Sequence, residues 1–123
     1  MKMYKIAIVD DEISILEMMK KFLSRREELE VELFENPEIA YNKLISNNYD
    51  IIISDIMMPQ MDGVELLRKI KEKKPNQKVI MMTAYSTEDR LIECDELGAT
   101  DYITKPFISL RDVENKVLDN LGL

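Results

Sequence analysis

An α/β domain, a parallel sheet covered by helices on both faces, is what this sequence predicts, and three observations carry that expectation. Short apolar runs such as Ile51-Ile52-Ile53 read as strands buried on both faces. Longer amphipathic segments alternate with these runs, five times over. Capping residues, prolines and glycines mark the boundaries between them. Strict alternation implies right-handed crossovers, so all strand ends point the same way.

Tyr4 to Val9 reads as the first buried strand and runs into Asp10, Asp11 and Glu12. Residues 13–24 place Ile15, Leu16, Met19, Phe22 and Leu23 at helical spacing, with Ile13 and Met18 left over beyond that stripe. Val31 to Phe34 alternates with acids as an edge strand would, and Asn36-Pro37 caps and opens a helix to about Ser46. The strand at 51–54 ends at Asp55, which is expected to have left the ladder. Pro59 forbids further pairing, and Gly63 relieves the backbone where the next helix begins. Asp62 caps that helix, which carries Val64, Leu66, Leu67 and Ile70 to a Lys71–Lys74 end suited to a helix C-terminus. Val79 to Met82 is a fourth buried strand ending at Thr83-Ala84. Ser86 or Thr87 caps a helix that Gly98 closes. Asp101 to Thr104 is a short fifth strand ended by Lys105-Pro106, and Ser109 starts a last helix through Val113, Val117, Leu118 and Leu121.

Composition narrows the class. The 123 residues make one domain, and 46% hydrophobic with 33% charged residues suits a soluble globular protein. No apolar run approaches the roughly 20 residues needed to span a bilayer. The start lacks a signal-peptide cleavage pattern, so a cytoplasmic location is expected. The single cysteine, Cys94, falls in a helical pattern and reads as packing. A net charge of −7 disfavours direct nucleic-acid binding, and the absence of histidine removes serine-histidine catalysis and histidine zinc sites.

Asp10-Asp11, Asp55, Thr83 and Lys105 each stand at a strand's carboxyl end, the first, third, fourth and fifth. They can therefore share one edge pocket, where open α/β sheets bind ligands. Taken singly, each has a plainer reading: a capping pair, a turn acid, a loop hydroxyl, a solvated lysine. Their joint position favours a site. Carboxylates about 4 Å apart repel by roughly 4 kcal/mol at an effective dielectric near 20, so the cluster needs a cation. An all-oxygen set suits Mg²⁺, which readily shares a phosphate. Thr83 offers a hydroxyl donor, Lys105 a point charge, and Asp55 a nucleophile, since aspartyl-phosphate is an established intermediate. The physical reading is Mg²⁺-dependent phosphoryl transfer onto Asp55. The methionines at 57, 58, 81 and 82 read as packing and the acids at 93, 95 and 96 as a solvated helix face.

Ile-Val-Asp-Asp-Glu at 8–12, Ser-Asp-Ile-Met-Met-Pro-Gln-Met-Asp-Gly at 54–63, Met-Thr-Ala-Tyr at 82–85, Gly-Ala-Thr-Asp-Tyr at 98–102 and Thr-Lys-Pro-Phe at 104–107 occur in order. Over its whole length, 1–123, the chain resembles a two-component response-regulator receiver domain of the chemotaxis-receiver superfamily. The resemblance implies a flavodoxin-like, doubly wound five-stranded parallel sheet in order 2-1-3-4-5 with five helices. It implies that Asp55 accepts a phosphoryl group from a partner phosphohistidine, on a sensor histidine kinase or a histidine phosphotransfer protein. Asp11, Asp55 and the Met57 carbonyl would ligate Mg²⁺ directly, and Asp10 through water. Lys105 would bind the phosphoryl group ahead of a cis bond to Pro106, with Thr83 and Tyr102 as the switch pair. Tyr102 on its own reads as core. Met57 and Tyr85 are expected to border the approach of a hydrolytic water, and Ile13, Met18 and Phe107 to face the partner. No turnover substrate is implied: the chain is an acceptor with self-directed chemistry rather than an enzyme. Three modes stay open: a receiver acting alone on a downstream protein, the receiver part of a DNA-binding regulator with its own output domain, or a pseudo-receiver binding module. The last typically lacks one of the acids or the lysine, and this chain keeps all five residues.

Overall fold

The computed structural model describes residues 2–84, 87–107 and 109–123. Ten elements alternate along the chain: β1 (Tyr4–Val9), α1 (Ile13–Leu23), β2 (Leu29–Phe34), α2 (Pro37–Ser46), β3 (Ile51–Asp55), α3 (Gly63–Lys73), β4 (Val79–Thr83), α4 (Glu88–Glu96), β5 (Asp101–Thr104) and α5 (Leu110–Leu121). The five strands are parallel in the order β2-β1-β3-β4-β5, the flavodoxin-like arrangement the motifs imply.

Side chains alternate across each strand, so a run apolar at every position feeds two cores at once. Ile6, Ile8, Ile51, Ile53, Ile80 and Met82 face Leu16, Met19 and Leu23 of α1 and Val113 and Val117 of α5. Ala7, Val9, Ile52 and Met81 face Ala40 and Leu44 of α2, Leu66, Leu67 and Ile70 of α3, and Cys94 of α4. Each fully buried isoleucine contributes roughly 1.5–3 kcal/mol by leaving water. Cutting Ile52 or Ile53 to alanine would cost about 2–5 kcal/mol with the cavity included.

The expected caps are in place. Asn36 accepts from the amides of Glu38 and Ile39, with Pro37 at the first helical position; Asp62 accepts from Val64, Thr87 from Arg90 and Ser109 from Asp112. Gly98, at φ 93°, follows α4 in the left-handed region.

Several expectations need correction. Asp55 has not left the ladder: it is the last residue of β3, in register with Met82, and Thr83 likewise closes β4. The edge strand β2 begins at Leu29, two residues early, because Leu29 is buried. Gly63 has no unusual φ to relieve. A Cβ there would overlap the Asp55 carbonyl oxygen, so the glycine permits α3 to start against β3. Met58, Met81 and Met82 are buried, but Met57 is 58% exposed and packs no core.

Candidate functional site

The carboxyl edge of the sheet gathers the acids. Asp10 follows β1, its amide donating to Phe34 O at 3.1 Å, and is completely buried. Asp55 closes β3 and is 5% exposed, whereas Asp11 lies open to solvent. One carboxylate oxygen from each lies within 4.8 Å of the others. The sequence does this locally: strand hydrogen bonds fix Asp10 and Asp55 on neighbouring β1 and β3, and α1 carries the chain away immediately after Glu12.

Lys105 enters from the end of β5, its amide bonded to Thr83 O at 2.7 Å and its peptide bond to Pro106 cis, as the motif implies. Its ammonium donates to Asp10 Oδ2 at 2.6 Å and to Asp55 Oδ2 at 3.1 Å, with Glu12 Oε1 at 3.8 Å. Asp10 Oδ1 accepts from the Glu12 amide at 2.9 Å, and Asp55 Oδ1 from the Met57 amide at 3.3 Å. Burial, then the nearby Asp10 charge, raises the Asp55 pKa above the usual carboxylate range; Lys105 and the Met57 amide pull only part of it back. Burial works against the Lys105 ammonium too, but Asp10 and then Asp55 outweigh it and raise its pKa. One lysine thus serves two buried acids, and the cluster remains short of positive charge. Three hard oxygen donors around that deficit fit Mg²⁺ and offer nothing to a thiophilic metal.

Thr83 is half-buried at the end of β4, opposite Thr104. Tyr102, on a four-residue strand, is half-buried and packs against the core cluster, and its hydroxyl donates to the Asp95 carboxylate, with Leu91 O at 3.4 Å. Burial and Asp95 together push its pKa well up. Of the three acids read as a solvated face, Asp95 and Glu96 are exposed as expected, while Glu93 is half-buried and reached by Arg68 at 3.4 Å. Tyr85 lies outside the described residues, as does Ser86. Ile13 and Met18 are exposed as expected, at 52% and 39%. Beside Lys105 an apolar groove of about 550 Å³ is walled by Ile15, Met18, Ala84, Phe107 and Leu110. Ile15, Ala84, Leu110 and Glu12 line this groove without standing out as site residues in the sequence. Glu12 alone carried a signal, the third acid after two.

A family model described as response regulator receiver domain matches residues 6–117. The transcriptional regulatory protein SrrA of Staphylococcus aureus is 42% identical over 113 residues, covering 92% of this chain and 46% of that protein. The chain thus spans about half the length of the curated relatives it matches. Among solved structures, a CheY-like receiver domain from Methanospirillum hungatei JF-1 superposes with a TM-score of 0.92 at 32% identity, covering 98% of this chain and 95% of that one. The Thermotoga maritima OmpR/PhoB homologue DrrB gives 0.86 at 32% identity, covering 98% of this chain and 53% of that one.

Proposed function

The chain belongs to the response-regulator receiver family, and from that premise we propose that Asp55 accepts a phosphoryl group from a partner phosphohistidine and that the domain switches its α4-β5-α5 face in response. The observation that carries this reading is the convergence of Asp10, Asp11 and Asp55 on one edge, with Lys105 Nζ at 2.6 and 3.1 Å from two of them.

An Asp55 carboxylate oxygen attacks phosphorus, the new P–O bond forms as the P–N bond breaks, and the bonding pair leaves with the imidazole nitrogen. Asp11, Asp55 and the Met57 carbonyl would hold Mg²⁺, with Asp10 acting through water. Bound there, the ion offsets the repulsion among the acids and polarises the phosphoryl oxygens. Lys105 keeps Asp10 as its anchor and follows the charge from the Asp55 carboxylate to the phosphoryl oxygens. Thr83 turns its hydroxyl toward the same oxygens, and the space it vacates admits the Tyr102 ring, which gives up Asp95. The phosphoryl group can bias only states it contacts differently, so this is a population shift.

The groove beside Lys105, walled in part by Met18, together with exposed Ile13 on the same helix, would receive the histidine-bearing partner, a sensor kinase or a phosphotransfer protein, in the cytoplasm. For output, the likeness to a protein named a transcriptional regulator, of which this chain spans 46%, favours a receiver that works with a DNA-binding partner domain over one that acts alone.

Acetyl phosphate with Mg²⁺ should add one phosphoryl group to the intact protein by mass spectrometry, none to Asp55→Asn, and little once Mg²⁺ is chelated. Equal modification of Asp55→Asn would overturn the reading.

A further inference from the structure

Helix α4 is weakly anchored by apolar contact. Cys94 is its one fully buried residue among those described, whereas α3 buries Val64, Leu66, Leu67 and Ile70. Its last turn carries Glu93, Asp95 and Glu96 and no base, against the negative end of the helix dipole. Half-buried Leu91 adds some apolar packing beside Cys94, and polar contacts supply the rest of the hold. On the β5 side Tyr102 donates to Asp95; on the α3 side Arg68 reaches Glu93 and Arg90 donates to Asp62.

Asp62 is unlike the other partners. Its Oδ1 caps α3 by accepting from the Val64 amide at 2.8 Å, which leaves Oδ2 for Arg90. The next residue is Gly63, packed directly on the Asp55 carbonyl, and the Gly63 amide donates to Ile56 O at 2.7 Å. The loop leaving Asp55 is thus seated tightly at its far end and joined there to α4 by one ion pair.

We propose that the Asp62–Arg90 ion pair is a latch through which the loop after Asp55 holds α4 in this arrangement, a route to α4 separate from Thr83 and Tyr102. Its use as a signal rests on the phosphorylation of Asp55; its hold on α4 does not.

Cys94, the sole cysteine, supplies the probe. It is fully buried in α4, and burial pushes its thiol pKa up to about 11, with Arg90 lowering it and Asp62 raising it. Iodoacetamide labelling of the metal-free, unphosphorylated protein therefore reports opening of α4. Charge alone predicts opposite changes: Asp62→Asn would speed labelling by lowering the thiol pKa, and Arg90→Gln would slow it. The latch predicts that both speed it, by about two- to fivefold, the range of a good partly exposed ion pair, and that the double variant gains no more than either single one. Asparagine keeps the α3 cap, and unchanged amide-exchange protection in β1 and β3 shows that the opening is local. Equal rates in all four proteins, opposite changes in the two single variants, a double variant faster by the product of both, or loss of protection across the sheet would each overturn the latch. None of these outcomes depends on whether Asp55 is phosphorylated.

Discussion

Asp55 closes β3 at the carboxyl edge of the sheet and Asp101 opens β5 at the amino edge, and their surroundings treat the same charge in opposite ways. Burial weighs against both. At Asp101 it is outweighed by the Tyr102 amide at 2.8 Å, Asn120 Nδ2 at 3.1 Å and Lys116 Nζ at 3.1 Å, so the pKa falls below the usual carboxylate range. At Asp55 burial is reinforced by Asp10, and the pKa rises. The contrast extends along each edge. Around the amino edge lysines meet carbonyls: Lys74 donates to Asn47 O, Lys78 to Asn120 O and Lys71 to Gln77 O at 2.6 Å, two of these at or beside the ends of α2 and α5, where the dipole is negative. A groove of about 510 Å³ is found there, but its Lys74 and Lys78 are already spoken for. One edge is satisfied by the chain itself, and the other is left wanting a cation.

The greatest loss should come from breaking the carboxyl edge. Lys105→Ala leaves Asp10 and Asp55 buried without their counter-charge, which should cost on the order of 3 kcal/mol in urea unfolding without metal. Added Mg²⁺ should recover more stability in that variant than in wild type. At the amino edge, Lys74→Ala should cost about 1 kcal/mol, a lost carbonyl hydrogen bond, with no metal rescue.

Next comes the pH dependence of the two aspartates, in chelator. Asp101 has a depressed pKa, so its stabilisation is present above the unfolded pKa and lost as pH falls through the folded one. Asp101→Asn should lose about 1 kcal/mol at neutral pH and nothing in strong acid. Asp55 has a raised pKa, so the folded state holds its proton more tightly and stability declines as pH climbs from the usual carboxylate range through the raised value. Asp55→Asn should remove that decline and gain up to about 1 kcal/mol at neutral pH. Parallel pH profiles for the two variants would erase the distinction between the edges.

What the sequence made legible follows the range of the interactions involved. Ile51 to Ile53, the cap at Asn36 and the cap at Asp62 are decided within a few residues, and each reads correctly. Asp10, Asp55 and Lys105 converge because parallel topology, itself legible from alternation, sends all strand ends one way. The Asp62–Arg90 pair spans 28 residues and depends on where α4 lies beside α3, which no local pattern encodes. Tyr102 and Asp95 meet for the same reason. Met57, an apolar residue between a strand and a proline, has the pattern of core, but the loop turns its side chain outward. Gly63 at a helix start suggests conformational freedom, but the close approach of the Asp55 carbonyl is what requires it.

Among the described residues only the carboxyl edge is left short of a cation, and Mg²⁺ titration followed by backbone amide shifts probes that difference between the edges. Wild type should show weak, saturable shifts centred on Asp10, Asp11, Asp55 and Met57, with Asp101, Lys116 and Asn120 silent, and Asp11→Ala should lose the response. Shifts of equal size at both edges, or an Asp11→Ala variant that binds Mg²⁺ as well as wild type, would contradict it.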